Sequence, residues 1–183
     1  MQDFRRAGAT LALLAIGLGL GLSGEAIAAG GKAMGVQQSA ALLQAGSIKQ
    51  LVVGTDIMIG DEVTTDDAGQ VQIKFDDATE LVIGPNSKLK IEDYLLRGDN
   101  SAGKLAINAL SGTFRFATGT ADKSRYVINT PTGTIGVRGT QFDFIVAPDG
   151  TQVLLYEGAV KLCNIDKVCV TLDKTCSIGT IDD

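Results

Sequence analysis

The sequence predicts an all-β domain, a compact irregular β-solenoid or β-roll of short strands, with a β-sandwich or barrel as the alternative. Three observations carry this expectation. First, apolar residues recur at every second position: Val71, Ile73 and Phe75 alternate with Gln72 and Lys74, Phe114 and Phe116 with Thr113 and Arg115, and Val168, Val170 and Leu172 with Cys169 and Thr171. A period of two sorts side chains onto the two faces of a strand. Second, turn-forming clusters interrupt these runs at Asp66-Asp67-Ala68-Gly69, Gly98-Asp99-Asn100, Thr118-Gly119-Thr120 and Pro148-Asp149-Gly150, which marks strands joined by tight connections. Third, 23 of 183 residues are glycine, yet no fixed repeat period appears. The glycines suit close stacking of coils, and the missing period argues against a regular solenoid.

Residues 1–28 read as an export signal. Arg5 and Arg6 precede an apolar run, Ala7 to Leu22, that ends at Ala26-Ile27-Ala28, and cleavage is expected after Ala28. The run is glycine-bearing and falls short of the roughly 20 residues that span a bilayer. No second segment of spanning length follows, so no stable membrane insertion is expected after cleavage, and the location expected is periplasmic or secreted. Residues 29–50 are small, polar and glycine-bearing around Ala40-Ala41-Leu42-Leu43. They read as a linker or short helical segment, with an edge strand as the alternative. Residues 51–183 form the expected β domain.

Several of its segments carry a resemblance. Thr130–Val146 sets one arginine among glycines ahead of a strand, in Pro131-Thr132-Gly133-Thr134-Ile135-Gly136-Val137-Arg138-Gly139-Thr140. Upstream stand Gly60-Asp61-Glu62-Val63 and Phe75-Asp76-Asp77-Ala78-Thr79-Glu80-Leu81, and Gly112-Thr113-Phe114-Arg115-Phe116 and Tyr156-Glu157-Gly158-Ala159-Val160 follow in order. From about Val53 to Leu172 the chain resembles the FecR domain, an envelope module named after the regulator of ferric citrate transport. The resemblance implies a coiled β fold and a binding or signalling role. Members that control a sigma factor join this domain to a membrane span and a cytoplasmic helical part, and a direct anti-sigma role is therefore not carried over. No residue pattern shows an iron site. The chain departs from the family in one turn, where Asp-Gly-Thr is usual and Asp77-Ala78-Thr79 stands here. If that turn needs φ > 0 at residue 78, alanine is strained in it.

Two accounts of the central motif follow from residue chemistry. In the first, Arg138, with Gly139 and Thr140, binds an anionic ligand or a partner's carboxylate through the five-donor guanidinium. In the second, preferred here, Pro131, Gly133 and Gly136 are structural and Arg138 turns inward to pair with Asp143 or Glu157, while the glycines allow close backbone packing.

Asp61, Asp66, Asp67, Asp76 and Asp77 gather near turns but lack any calcium-loop spacing. Aspartates in turns commonly bond their own backbone, so no metal and no cofactor is expected. In an oxidising compartment Cys163, Cys169 and Cys176 are disulfide candidates. A hairpin over Ala159–Thr171 places Cys163 and Cys169 on one face, allowing a bridge that leaves Cys176 over; Cys169–Cys176 is the other pairing considered.

The formal net charge is −5, and removing Asp3, Arg5, Arg6 and Glu25 with the leader leaves it unchanged. This opposes binding of nucleic acid. The chain has no histidine, which excludes Ser-His and Cys-His nucleophile pairs, and no phosphate loop or nucleophile elbow occurs. The chain is read as a non-enzyme. Two functional readings stand: a periplasmic binding module that docks an unidentified envelope protein in sensing or signalling, with strand addition at a sheet edge as a route, or a structural or adhesive protein that self-associates or binds surface polysaccharide. Tyr94, Tyr126 and Tyr156 would serve the second if exposed; half-buried strand positions are the preferred account of them.

Overall fold

The structure, a computed structural model, describes residues 30–96, 102–119 and 126–182. The expected leader over 1–28 and the turn at 98–100 lie outside these residues. No helix among the described residues is long and apolar enough to cross a membrane.

Among the described residues fourteen strands form one mixed sheet that does not close. In chain order they are β1 (Gly31–Gln37), β2 (Ala40–Gln44), β3 (Ser47–Gln50), β4 (Asp56–Ile57), β5 (Glu62–Thr65), β6 (Gln70–Phe75) and β7 (Glu80–Ile83). Then come β8 (Lys88–Leu96), β9 (Ala102–Ala117), β10 (Tyr126–Thr130), β11 (Gly133–Ala147), β12 (Gly150–Asn164), β13 (Cys169–Leu172) and β14 (Ile178–Ile181). The all-β expectation holds, but three strands, β9, β11 and β12, run 15 or 16 residues rather than being short.

Those long strands organise the fold, because each changes neighbours midway. The first half of β9 lies between β8 and β10, and its second half between β7 and β11. β11 pairs with β10 before its midpoint and with β9 after it. β12 pairs with β14 in its first half and with β13 in its second. The sheet thus falls into two layers. One holds β2, β3, β5, β8, β10 and β13, the other β1, β4, β6, β7 and β14, and the three long strands run through both. Register breaks mark where β11 turns from one layer to the other, between Arg138 and Gln141. Such a bulge bends a strand and sharpens its twist.

The core fills the space between the layers. The expected alternation is realised on β6, where Val71, Ile73 and Phe75 are buried and Gln70, Gln72 and Lys74 exposed. The five described phenylalanines are all buried. Phe114 stacks on Phe144 with centroids 4.8 Å apart, and Phe116 meets Tyr126 edge-on across the layers at 5.9 Å. Buried aromatics of this kind contribute area burial and a geometric preference of about 0.5–1.5 kcal/mol per pair.

Two expectations are corrected here. Residues 31–50 are not a linker or a helical segment but the strands β1, β2 and β3. Small alternating residues such as Ala33 and Ala40 pack fully against the core, and their modest apolarity hides the pattern. At the other end, the apolar face of β13 is covered at Leu172, which packs against the core, and open before it. Val170 lies beside buried Leu162 in register, yet Val168 and Val170 are 70% and 51% exposed, because the layer ends there.

Candidate functional site

The central motif begins at a tight turn. Pro131, exposed, and Thr132 join β10 to β11, and Thr130 faces Gly133 across the hairpin. Proline's fixed φ suits such a turn. Gly133 has no room for a side chain, since a β-carbon there would lie 2.1 Å from the Cys163 carbonyl oxygen. Gly136 differs, with the Lys161 carbonyl oxygen 3.7 Å from the corresponding point; ordinary contact distance does not demand glycine.

The bulge then separates Arg138, Gly139 and Thr140. Gly139 adopts φ 61°, where non-glycine residues are strained. Thr140 is buried; its amide donates to Thr118 Oγ1 at 3.0 Å, and its carbonyl accepts from the Thr118 amide at 3.0 Å. The Thr140 hydroxyl is buried without a partner among the described residues. Arg138 points the other way and is exposed. The three residues therefore do not converge on one ligand position. Arg138 alone reaches solvent, with Gly139 and Thr140 fixing the bulge beneath it.

The inward pairing of Arg138 is not what the fold adopts. Asp143 is engaged by Arg115, whose Nε and Nη2 donate at 2.6 and 2.8 Å, and by the Tyr156 hydroxyl at 2.9 Å. Arg115 and Asp143 oppose each other directly on β9 and β11, a cross-strand placement that Asp143 and Arg138, on one strand, cannot match. The bidentate hydrogen bond from Arg115 holds the Asp143 carboxyl below the usual carboxylate range, and the same bond pushes the guanidinium up. The Arg115 guanidinium also sits 5.4 Å from the Tyr156 ring centre. Sequence reasoning missed this cluster because its members are 28 and 13 residues apart.

A second polar cluster is buried at the turn between β6 and β7. Ala78 has φ 66°, so the strained turn expected from Asp77-Ala78-Thr79 is present. Asp77 accepts from the Thr79 amide at 3.1 Å and from the Thr79 hydroxyl at 2.8 Å. The Tyr126 hydroxyl donates to the same carboxylate, and the Tyr94 hydroxyl lies 3.5 Å from it. Burial first, and then the Asp77 carboxylate, push both phenols well above the ordinary tyrosine value. With Tyr94 and Tyr126 buried and Tyr156 half-buried, the three tyrosines do not form a stacking platform.

The other turn aspartates also serve the backbone. Asp61 accepts from the Met58 amide at 2.8 Å and from Gln44 at 2.7 Å, and Asp66 accepts from the Ala68 amide at 3.2 Å. Among the described residues no three His, Cys, Asp or Glu side chains are grouped to hold a metal.

The feature most open to a macromolecule lies at the C-terminal end. Cys163 and Cys169 face each other on β12 and β13 and are disulfide-bonded, with Cα atoms 4.1 Å apart; Cys176 is a free, exposed thiol. The bridge fastens the edge strand β13 to β12. Ile165, Val168 and Val170, in and beside the hairpin that it closes, are all more than half exposed. A depression of about 360 Å³ between β13 and β14 is lined by Leu162, Val168, Val170 and Ile181 among others. Edge strands are usually blunted by lysine, proline or a bulge. β3 carries Lys49 at the opposite end of the sheet, whereas Cys169-Val170-Thr171-Leu172 has no such guard.

Comparison with known proteins agrees with this architecture. The family model described as FecR protein matches residues 61–161. Two crystal structures of a candidate anti-sigma factor from Parabacteroides distasonis ATCC 8503 are similar, with TM-scores of 0.50 and 0.49 and 12% identity. In both, the match covers 67% of this chain and 59% of the other, so the chain spans about three fifths of the solved structures' length. At that identity the first likeness concerns the fold alone. None of the curated proteins matches. The family match takes in more than half of the chain, including the Asp77 turn, the Pro131 turn, the bulge and the Arg115–Asp143 pair, and the chain belongs to the FecR protein family.

Proposed function

We propose that this chain is a non-enzymatic binding module of the cell envelope, exported to the periplasm or secreted, that takes part in sensing or signalling by docking a protein partner along β13. The observation that carries this reading is the unguarded apolar edge. Among the described residues β13 pairs with β12 alone, and Val168 and Val170, both more than half exposed, lie beside and on it. Strand addition to such an edge gains backbone hydrogen bonds, and side-chain pockets beside it give selectivity. The disulfide pre-orders the strand, which lowers the entropy lost on docking.

Arg138 fits the same reading. It lies opposite Ala159 on β12, one residue from Val160, where β13 begins to pair through Leu172. An exposed guanidinium there can take a partner's carboxylate at the rim of the interface. Gly139 and Thr140 act by holding the bulge that presents it. Membership of the FecR family supports an envelope role, and the anti-sigma name of the similar crystal structures is in keeping with signalling through protein contacts.

The test is cross-linking in the native envelope from a photoreactive residue at Val168, with mass spectrometry of what is captured. One dominant foreign protein, lost in Val170→Lys and weakened in Arg138→Ala while melting is unchanged, is the expected result. Capture of the chain itself or of wall material alone overturns the docking role.

A further inference from the structure

We propose that the outer face of the layer built on β1, β6, β7, β9 and β11 is a binding groove for a neutral, hydroxyl-rich polysaccharide. This surface is remote in the strand order from the β13 edge and the proposal stands apart from the docking role. Gly35, Gln72, Val82, Arg115 and Asp143 form one unbroken cross-strand row. Four inter-strand steps of about 4.8 Å make that row about 19 Å long, the span of several linked sugar rings.

Two shallow depressions, of about 360 and 230 Å³, lie along this row and share Gln70 and Val82. Gly35 and Gly84, without side chains, leave them open. In the larger one Val82, Gly84 and Pro85 supply an apolar floor, and Gln70, Arg115 and Asp143 a polar rim. A pyranose ring has the matching construction, with an apolar C–H face and a rim of hydroxyls. Gln37, Gln70 and Gln72 are exposed on the adjoining strands. Among the described residues Gln37 and Gln70 make no side-chain hydrogen bond within the chain, and Gln72 reaches only Glu80, at 3.4 Å. Each amide both donates and accepts, as hydroxyls do.

Charge selects among ligands. Among the described residues, the ionised groups lining the two depressions are Arg115 and Asp143, and they are bound to each other at 2.6 and 2.8 Å. The fork of the guanidinium is already filled, which disfavours a phosphate or carboxylate ligand, and the paired carboxylate disfavours a cation. Phe114 lines the larger depression but is itself buried, and among the described aromatic side chains near the row only Tyr156 is half-buried. Protein interfaces are usually anchored by aromatic, methionine or arginine side chains in apolar pockets; here Met34 is half exposed on β1 but lines neither depression, and Arg115 is paired. From β6 to β11 its strands are paired on both sides, so strand addition cannot occur within that part of the row.

The experiment is native affinity electrophoresis of the full chain in gels containing dextran, pullulan, laminarin or hydroxyethylcellulose. Retardation by at least one of them is expected, unchanged in about 1 M salt, where screening is nearly complete. The double variant Gln70→Ala/Gln72→Ala, on exposed positions, is expected to lose about tenfold or more in apparent affinity at an unchanged melting temperature, while Val170→Lys retains binding. No retardation by any of the four polymers, retardation abolished by salt, or full retention in the double variant overturns the proposal. So does a protein partner whose capture depends on Gln70 and Gln72.

Discussion

A β-carbon added to Gly158 would lie 2.0 Å from the carbonyl oxygen of Gly139. The two glycines sit where the paired strands β11 and β12 cross from one layer to the other, and both have positive φ, 61° at Gly139 and 82° at Gly158. Backbone touches backbone here, with no flexible side chain to give way. Gly158→Ala is therefore expected to lower stability by about 3 kcal/mol or more, adding a left-handed backbone penalty of about 1–2 kcal/mol to overpacking of about 1–3 kcal/mol. Thermal or urea unfolding checks it, and a change below about 1 kcal/mol would show that the crossing relaxes.

Ala78→Gly is expected to act in the opposite direction. Ala78 is exposed, has φ 66°, and closes a turn whose other members, Asp77 and Thr79, are fully engaged. Relief of left-handed strain outweighs the greater entropy of unfolded glycine, for a gain of about 0.5–1 kcal/mol. Chemical denaturation measures it directly, and a loss of stability would contradict the strain.

The buried phenols set an alkaline limit. Tyr94 and Tyr126 hold their protons in the native state at pH values where an unfolded tyrosine, near 10, has lost its own. The folded values are raised, so this contribution is complete below about pH 10 and declines as pH rises further. Stability followed by denaturant midpoint should be level below that pH with respect to these groups and should fall above it. Tyr126→Phe should reduce the alkaline slope and cost about 1.5–3 kcal/mol at neutral pH, the range for a hydrogen bond to a charged group.

Asp143 gives a smaller effect of the other sign. Its carboxyl is held below the usual range by Arg115, so its contribution is present above that range and is lost as pH falls through the depressed value. Arg115 is half exposed, and solvent screening limits Asp143→Asn to below about 1 kcal/mol. A double-mutant cycle with Arg115→Ala, read by melting in low and high salt, isolates the pair.

Removing the disulfide is expected to cost about 2 kcal/mol in the chain-entropy model for a closed loop with a sequence separation of 6. The loss should fall on β13 first. In Cys163→Ser/Cys169→Ser, amide exchange over Cys169–Leu172 should quicken more than over β6, and equal acceleration would place the bridge's effect on the whole domain.

Much of the fold is legible in the residues because strand alternation is a local signal. Val71, Ile73 and Phe75 announce a buried face within six residues, and the Cys163–Cys169 register follows from a hairpin centred near Asp166. What escapes is set by distance along the chain. Alternation cannot show that β9 and β11 each serve two layers, since both halves of each strand obey the same period. Small residues in β1 and β2 bury completely without looking apolar enough to do so. Inward pairing of Arg138 with Asp143 or Glu157 is compatible with the residues alone, but Arg138 is exposed and Asp143, five positions on along the same strand, is taken by Arg115 from the facing strand. The exposed edge at Val168 and Val170 escapes for a related reason. An apolar stripe tells which face could be covered, and only the end of the sheet decides that nothing covers it.

The three strands common to both layers also limit how the protein can respond to what it binds. A sandwich of two separate sheets can slide or part, because only side chains join its layers. Here β9, β11 and β12 carry continuous backbone from one layer into the other, so neither movement is open without breaking the bends at Gly139 and Gly158. On the docking role proposed above, occupancy of one surface would reach the next component as presence or absence of an assembled complex, with the domain as a rigid token in that exchange.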